Sequence, residues 1–224
     1  MTKKPNTLVL LDMHAILHRG YHALPDFRTT DGQPTGALFG LYTMLLSIIE
    51  VLDPVYIAGC YDLPQPTKRH QVYAAYKAGR KETDPELKVQ LQSSRQVLDA
   101  FGIVYFEEPG FEADDLLGSI VAKLQPELDR DELDIVIASG DHDTLQLVQQ
   151  DKVQVYAMRR GIKDTVLYNE SEVREKYGFD PKLLVDYNTD SEIIGGVVAR
   201  VGNLIFDASV RTKLQDIEQT LINV

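Results

Sequence analysis

The 224-residue chain has no tryptophan, four methionines and a single cysteine, Cys60. One cysteine excludes an internal disulfide framework, so the core must hold by packing alone and a reducing compartment is expected. Zinc binding of the cysteine-cluster kind is excluded for the same reason. No apolar run approaches the ~20 residues needed to cross a bilayer. The first such run ends at Asp12 after "LVLL", too short for the core of a signal peptide. A cytoplasmic chain with no membrane partner is therefore expected. Positive charge is scarce too: 23 Lys and Arg stand against 34 Asp and Glu, a net charge of −11. That disfavours binding of polyanions through overall charge, because such domains are usually basic as a whole. There is no internal repeat, no low-complexity tract, no G-x-x-x-x-G-K-[ST] phosphate loop and no readable Ser-His-Asp arrangement.

What is present is a chain with 44% hydrophobic residues, enough for one sizeable domain with at most a small appendage. "TLVLLD" (7–12), "VYIAGCYD" (55–62) and "LDIVIASGD" read as buried strands, and "IVYF" as a short strand. Leu38, Leu41, Leu45, Ile48, Ile49 and Leu52 recur at helical spacing. Leu87, Leu91, Leu98 and Phe101 do the same, with Pro85 in the first turn and Gly102 as a stop. Leu117, Val121 and Leu124 mark a third helix, and "DTLQLV" a short fourth. "KVQVYAM" and "DTVLYN" read as a hairpin around Arg160-Gly161. Strands alternating with helices predict an α/β fold: an open, mainly parallel sheet with helices on both faces.

In such sheets ligands bind beyond the carboxyl ends of the strands. Asp12 ends the first strand and Asp62 the second; Glu112, Asp114 and Asp115 follow the third, and Asp141 and Asp143 the fourth. Each piece has an ordinary reading. An acid in a helix's first turn gains ~0.3–1 kcal/mol from the dipole, and aspartate commonly caps turns. Seven carboxylates on one edge are a different matter, because they repel unless protons or cations compensate them. Mg²⁺ suits such a set, since it takes carboxylate, water and phosphate oxygens. Two such ions ~3.5–4 Å apart are the apparatus for in-line displacement at phosphorus. Directly after Asp62, "PQPTKRHQVYAAYKAGRK" (64–81) inverts the local sign, with five Lys and Arg, Tyr73 and Tyr76, and no acid. Basic residues interleaved with aromatics suit a single-stranded nucleic acid; a solvated loop is the plain alternative.

"LVLLDMHAILHRGYHALP", "DGQPTGALFGL", "CYDLPQPTKRH", "YKAGR", "GFEADDLLGSIVAKL" and "ASGDHDTLQLV" occur in this order over roughly 8–187. No one of them is decisive, but the set resembles the 5′-nuclease (5′-3′ exonuclease, flap endonuclease-like) domain of bacterial DNA polymerase I. The resemblance implies a PIN-like fold and hydrolysis of DNA 5′ ends and flaps in replication and repair. It implies two Mg²⁺ or Mn²⁺ ions on Asp12, Asp62, Glu112, Asp114, Asp115, Asp141 and Asp143. It also implies that Lys77 and Arg80 act on the scissile phosphate, and that Tyr76 lies beside them in a mobile basic arch around 64–84. Arg19, Tyr21, Thr35 and Arg69 match further family positions near DNA. A polymerase domain or polymerase partner is implied alongside. His14 stands where the family often has Asn.

The likeness stops after "YGFDPKLLVDY". The family continues with G-D-x-S-D-N-I-P-G-V-x-G-I-G-x-K-T-A, which supplies two more metal-binding aspartates and a turn that grips duplex. This chain instead reads "NTDSEIIGGVVARVGN", with Asn188 and Ser191 where the aspartates belong and no Lys-Thr-Ala. Val210, Leu214, Ile217 and Leu221 follow at helical spacing. The expected organisation is a catalytic domain over 1–187 and a small, degenerate or truncated helical DNA-binding region over 188–224. The second metal site is left incomplete. That opens an alternative: a catalytically weakened protein that binds DNA ends or flaps. An aspartyl phosphatase is disfavoured, because His14 replaces the second acid of its D-x-D opening.

Overall fold

The computed structural model describes residues 5–69, 82–160, 164–178, 180–181, 198–201 and 204–207. The chain divides into two compact units, Met1–Leu183 and Leu184–Val224. The first unit runs β1 (Asn6–Asp12), α1 (Met13–Ala23), α2 (Gly36–Leu52), β2 (Tyr56–Cys60), α3 (Pro85–Ala100), β3 (Val104–Phe106), α4 (Ala113–Lys123) and α5 (Gln125–Asp129). It continues with β4 (Leu133–Ser139), a 3-10 turn (His142–Leu147), β5 (Val153–Arg160), β6 (Asp164–Tyr168) and α6 (Glu170–Tyr177).

Six strands form one sheet in the order β3-β2-β1-β4-β5-β6. The first five are parallel and β6 returns antiparallel to β5, as the hairpin pattern predicts. Leu10 of β1 aligns with Ala58 on one side and Ile137 on the other. Alternation along β1 supplies two cores. Val9 and Leu11 pack with Met13, Leu17, Leu41, Leu45 and Leu98 under α1, α2 and α3. Leu10 packs with Ala58, Cys60, Leu117, Val121 and Ile135 under α4. Burial on both faces is why the strand is an unbroken apolar run. The burial of Cys60 pushes its thiol up to about 12, so it is an inert packing group.

Helix α1 is absent from the elements read above. Its buried residues Met13, Ile16, Leu17 and Gly20 have helical spacing, but His14, His18 and His22 dilute the stripe. Gly20 lets α1 approach α2: a Cβ there would lie 3.1 Å from the Ala37 carbonyl oxygen and 3.4 Å from Gly40 Cα. The start of α2 is held by a side chain from α3. Gln90, 1% exposed, accepts the Ala37 N–H at 2.8 Å through Oε1. Gln90→Leu leaves that helix-end donor buried and unpaired, and is expected to destabilise the fold by about 1–2 kcal/mol in urea denaturation.

In the second unit the described residues form an antiparallel pair, β7 (Val198–Val201) and β8 (Leu204–Asp207), with Val198 opposite Asp207. This pair is strand in a region expected to be helical. The helix expected around Val210 to Leu221 lies outside the described residues. Among the described residues no helix is long and apolar enough to cross a membrane.

Candidate active site at the carboxyl edge of the sheet

From β1 the chain builds outward on one side, through α1 and α2 to β2 and then β3, and returns from β3 to lay β4 on the other side of β1. The carboxyl ends of β1 and β4 therefore flank a topological switch point. Asp12 sits there, 6% exposed, as the last residue of β1 and the N-cap of α1. Its Oδ1 accepts the Ala15 N–H at 3.0 Å. Its Oδ2 accepts the Ser139 hydroxyl at 2.7 Å across the switch point. Burial raises the Asp12 carboxyl to about 6; the two hydrogen bonds oppose the rise, and Asp62 and Asp141 add to it. Ser139 also accepts the Asp141 N–H at 2.9 Å, and Asp141 in turn caps the 3-10 turn by accepting the Asp143 N–H at 3.0 Å.

Asp62, two residues beyond β2, accepts the Ala113 N–H at the start of α4. Its own N–H donates to His14 Nδ1 at 3.3 Å. Glu112 is the N-cap residue of α4, 5% exposed, and its N–H donates to Asp115 Oδ2 at 3.0 Å. The result is an open cavity of about 270 Å³ lined by Asp12, Asp62, Glu112, Asp114, Asp141 and Asp143, with His14, His18 and Thr144. Asp115 is not among the lining residues; its carboxylate accepts the Glu112 N–H and pairs with Arg69. Six of the seven predicted carboxylates thus meet in one space. Their donors are hard oxygens without thiolate, the chemistry Mg²⁺ and Mn²⁺ take. Among the described residues no three His, Cys, Asp or Glu are already gathered tightly enough to hold one ion. Among the described residues the carboxylates are engaged by backbone N–H groups, by Ser139 and by a guanidinium.

That guanidinium is Arg69. Its Nη1 donates to Glu112 Oε2 at 2.5 Å and to Asp114 Oδ1 at 3.3 Å, and its Nη2 to Asp115 Oδ1 at 2.7 Å. Partial burial opposes the Arg69 charge, but Asp114, Asp115 and Glu112 outweigh it and raise its pKa well above the ordinary value. Asp114 is raised by burial and by Asp115 and Glu112, with Arg69 pulling the other way.

The other predicted residues scatter. Arg19 donates to the Met158 carbonyl and faces a separate groove with Gly140 and His142. Tyr21 lines another groove with Pro25, Glu86 and Gln90. Thr35 is the N-cap residue of α2, where its side chain makes no capping bond. Tyr76, Lys77 and Arg80 lie outside the described residues. Two groups that line or brace the site escaped the pattern of acids. Ser139 had a usable signal, being the last residue of a strand two before an aspartate. His18 lies one helical turn beyond His14, and the two rings stack with centroids 6.3 Å apart.

The mainly parallel α/β sheet is the fold of the PIN-like 5′-nucleases. Residues 7–178 match the family model described as the 5′-3′ exonuclease, N-terminal resolvase-like domain. The chain belongs to that family.

Relatives at the level of sequence include DNA polymerase I of Mycobacterium bovis, 36% identical over 183 residues. They cover 81% of this chain and 20% of the polymerase. A 5′-3′ exonuclease of Aquifex aeolicus is 34% identical over 181 residues, covering 81% of this chain and 60% of that protein. The chain thus spans about a fifth of the polymerases it matches. Among solved structures, a phage T5 protein co-crystallised with metal ions superposes with a TM-score of 0.61 at 18% identity, over 79% of this chain and 63% of that one. A T5 5′-exonuclease with bound zinc gives 0.56 at 18% identity, with the same coverage. These likenesses are of fold. Residues 170–221 match a second model, that of the ATP synthase delta (OSCP) subunit. This match overlaps the end of the first over 170–178, takes in most of the segment 188–224 expected above to be a degenerate DNA-binding region, and is to a different family.

Proposed function

We propose that the first unit hydrolyses phosphodiester bonds at DNA 5′ ends and flaps with divalent metal ions, Mg²⁺ or Mn²⁺. The observation that carries this reading is the cavity in which six carboxylates meet at the switch point of the sheet. Family membership supports it, as do relatives named as 5′-3′ exonuclease and as DNA polymerase I. Asp12, Asp62, Glu112 and Asp114 would hold one ion, with Asp115 bracing Glu112 through its N–H. Asp141 and Asp143 would hold the second with one shared carboxylate. Bound there, such ions would supply activation of water and charge stabilisation of the leaving oxygen. The chain's own part is to fix the carboxylates. Ser139 and the Ala15 N–H orient Asp12, and the Ala113 N–H orients Asp62. Lys77 and Arg80 would meet the charge that develops on the phosphate. Arg19, Tyr21, Thr35 and Tyr76 are assigned to the path of the DNA. A polymerase, as a further domain or as a partner, would use the trimmed end, and repair and replication are the settings this chemistry serves.

A 5′-flap substrate with Mg²⁺ or Mn²⁺ tests the reading: cleavage is expected, and none in either metal from folded protein sinks it. Lys77→Ala is expected to slow cleavage about 10²-fold while leaving duplex affinity within a few-fold. The second reading, a DNA-end binder without turnover, draws on Asn188 and Ser191 at the two lost aspartate positions. It predicts salt-dependent flap binding that needs no metal.

A further inference from the structure

Arg69 was expected beside DNA, yet its guanidinium lies on three of the carboxylates that the proposed mechanism gives to or places beside metal. Among the described residues, this guanidinium is a counter-charge to the three acids. Glu112 is the telling member. At 5% exposure, an ionised carboxylate needs a partner, and the short contact to Arg69 Nη1 provides it. A forked guanidinium spans separate carboxylates in a way a point charge cannot. It also draws Glu112, Asp114 and Asp115 toward itself, which accounts for acids that line one cavity without forming a ready ion cage.

We infer that Arg69 is the resident counter-cation of the acidic cluster, and that a divalent ion enters by exchange with it. This rests on the proposed metal reading and adds a role for a residue that touches no reacting atom. A divalent ion concentrates two charges where the guanidinium spreads one, so it takes the carboxylates and frees Arg69. A released guanidinium pairs with phosphate as readily as with carboxylate, because both offer two oxygens to its fork. Arg69 is thus a positioning residue: it holds Glu112, Asp114 and Asp115 on its own guanidinium in the metal-free protein, and turns to a DNA phosphate oxygen once metal has replaced it.

The test is Mn²⁺ titration of the full chain without DNA, for wild type, Arg69→Gln and Arg69→Lys, by calorimetry and by loss of the free-ion resonance signal. Circular dichroism confirms folding. A bracing role would make loss of Arg69 weaken metal binding. Exchange predicts the reverse: Arg69→Gln binds Mn²⁺ at least about fivefold more tightly than wild type, with Arg69→Lys between them. Should Arg69→Gln fail to fold without metal, Arg69→Lys carries the comparison, with tighter binding than wild type expected. Equal or weaker Mn²⁺ affinity in the folded variants, with wild type binding normally, overturns the exchange and leaves the metal reading standing. No Mn²⁺ binding in any of the three overturns both.

Discussion

Asp12→Asn is expected to lower metal-dependent flap cleavage by about 10³-fold while making the metal-free protein more stable. The two effects share one cause. Asp12 is a buried carboxyl raised to about 6 by loss of hydration. In the unfolded chain it titrates near its ordinary value of about 3.9. Between these values the folded state holds a proton that the unfolded state has released, so stability falls as pH rises from about 4 through 6. Asparagine keeps the shape, still accepts the Ala15 N–H, and caps a helix as well as aspartate does. It has no charge to bury. In EDTA at pH 7.5 the variant is expected to gain about 2 kcal/mol over wild type, and at pH 3.5 almost nothing. Urea denaturation at the two pH values measures this, and a flap-cleavage time course measures the loss. A variant less stable than wild type at pH 7.5 would show that Asp12 is compensated in a way the Ser139 and Ala15 contacts do not explain. Magnesium should narrow the gap, because it stabilises only the protein that can bind it.

The largest loss of stability away from the site is expected at Gly20. Valine there places a branched side chain against the backbone of α2, where even the first carbon lies 3.1 Å from the Ala37 oxygen. A side-chain neighbour could rotate away, but a helix backbone moves only by opening the core between α1 and α2. Gly20→Val is expected to cost about 3 kcal/mol or more, read as a lower urea midpoint at unchanged slope. Cleavage per folded molecule should drop as well, because α1 is capped by Asp12 and carries His14 and His18 into the cavity.

Much of this molecule is legible from its residues. The strands β1 and β4, at the centre of the sheet, are apolar runs because parallel strands buried on both faces need that composition, while β3 at the edge is short and largely exposed. The acidic edge followed from topology, since alternating strands and helices bring strand ends to one side whatever the loops do. Other parts were less visible. The stripe of α1 is broken up by histidines, so periodicity alone passes over it. Ser139 looks like any strand residue until β4 lies beside β1 and its hydroxyl meets Asp12. In the tail, Val198–Val201 and Leu204–Asp207 are paired strands where the sequence showed only scattered glycines, and the helical period from Val210 to Leu221 lies outside the described residues. Short segments take their state from the partner they find, and local preference decides little there.

The sequence by itself determined the sheet, the family pattern over the first unit and the line-up of seven carboxylates, because hydrophobic period and chain order survive without coordinates. Only the tertiary structure decided how those acids are held. It set six of them around one cavity, gave Asp12 to Ser139 and the Ala15 N–H, and laid Arg69 across Glu112, Asp114 and Asp115. Ion pairing depends on distance, and Arg69 lies more than forty positions from its partners in the chain but within hydrogen-bond reach in space.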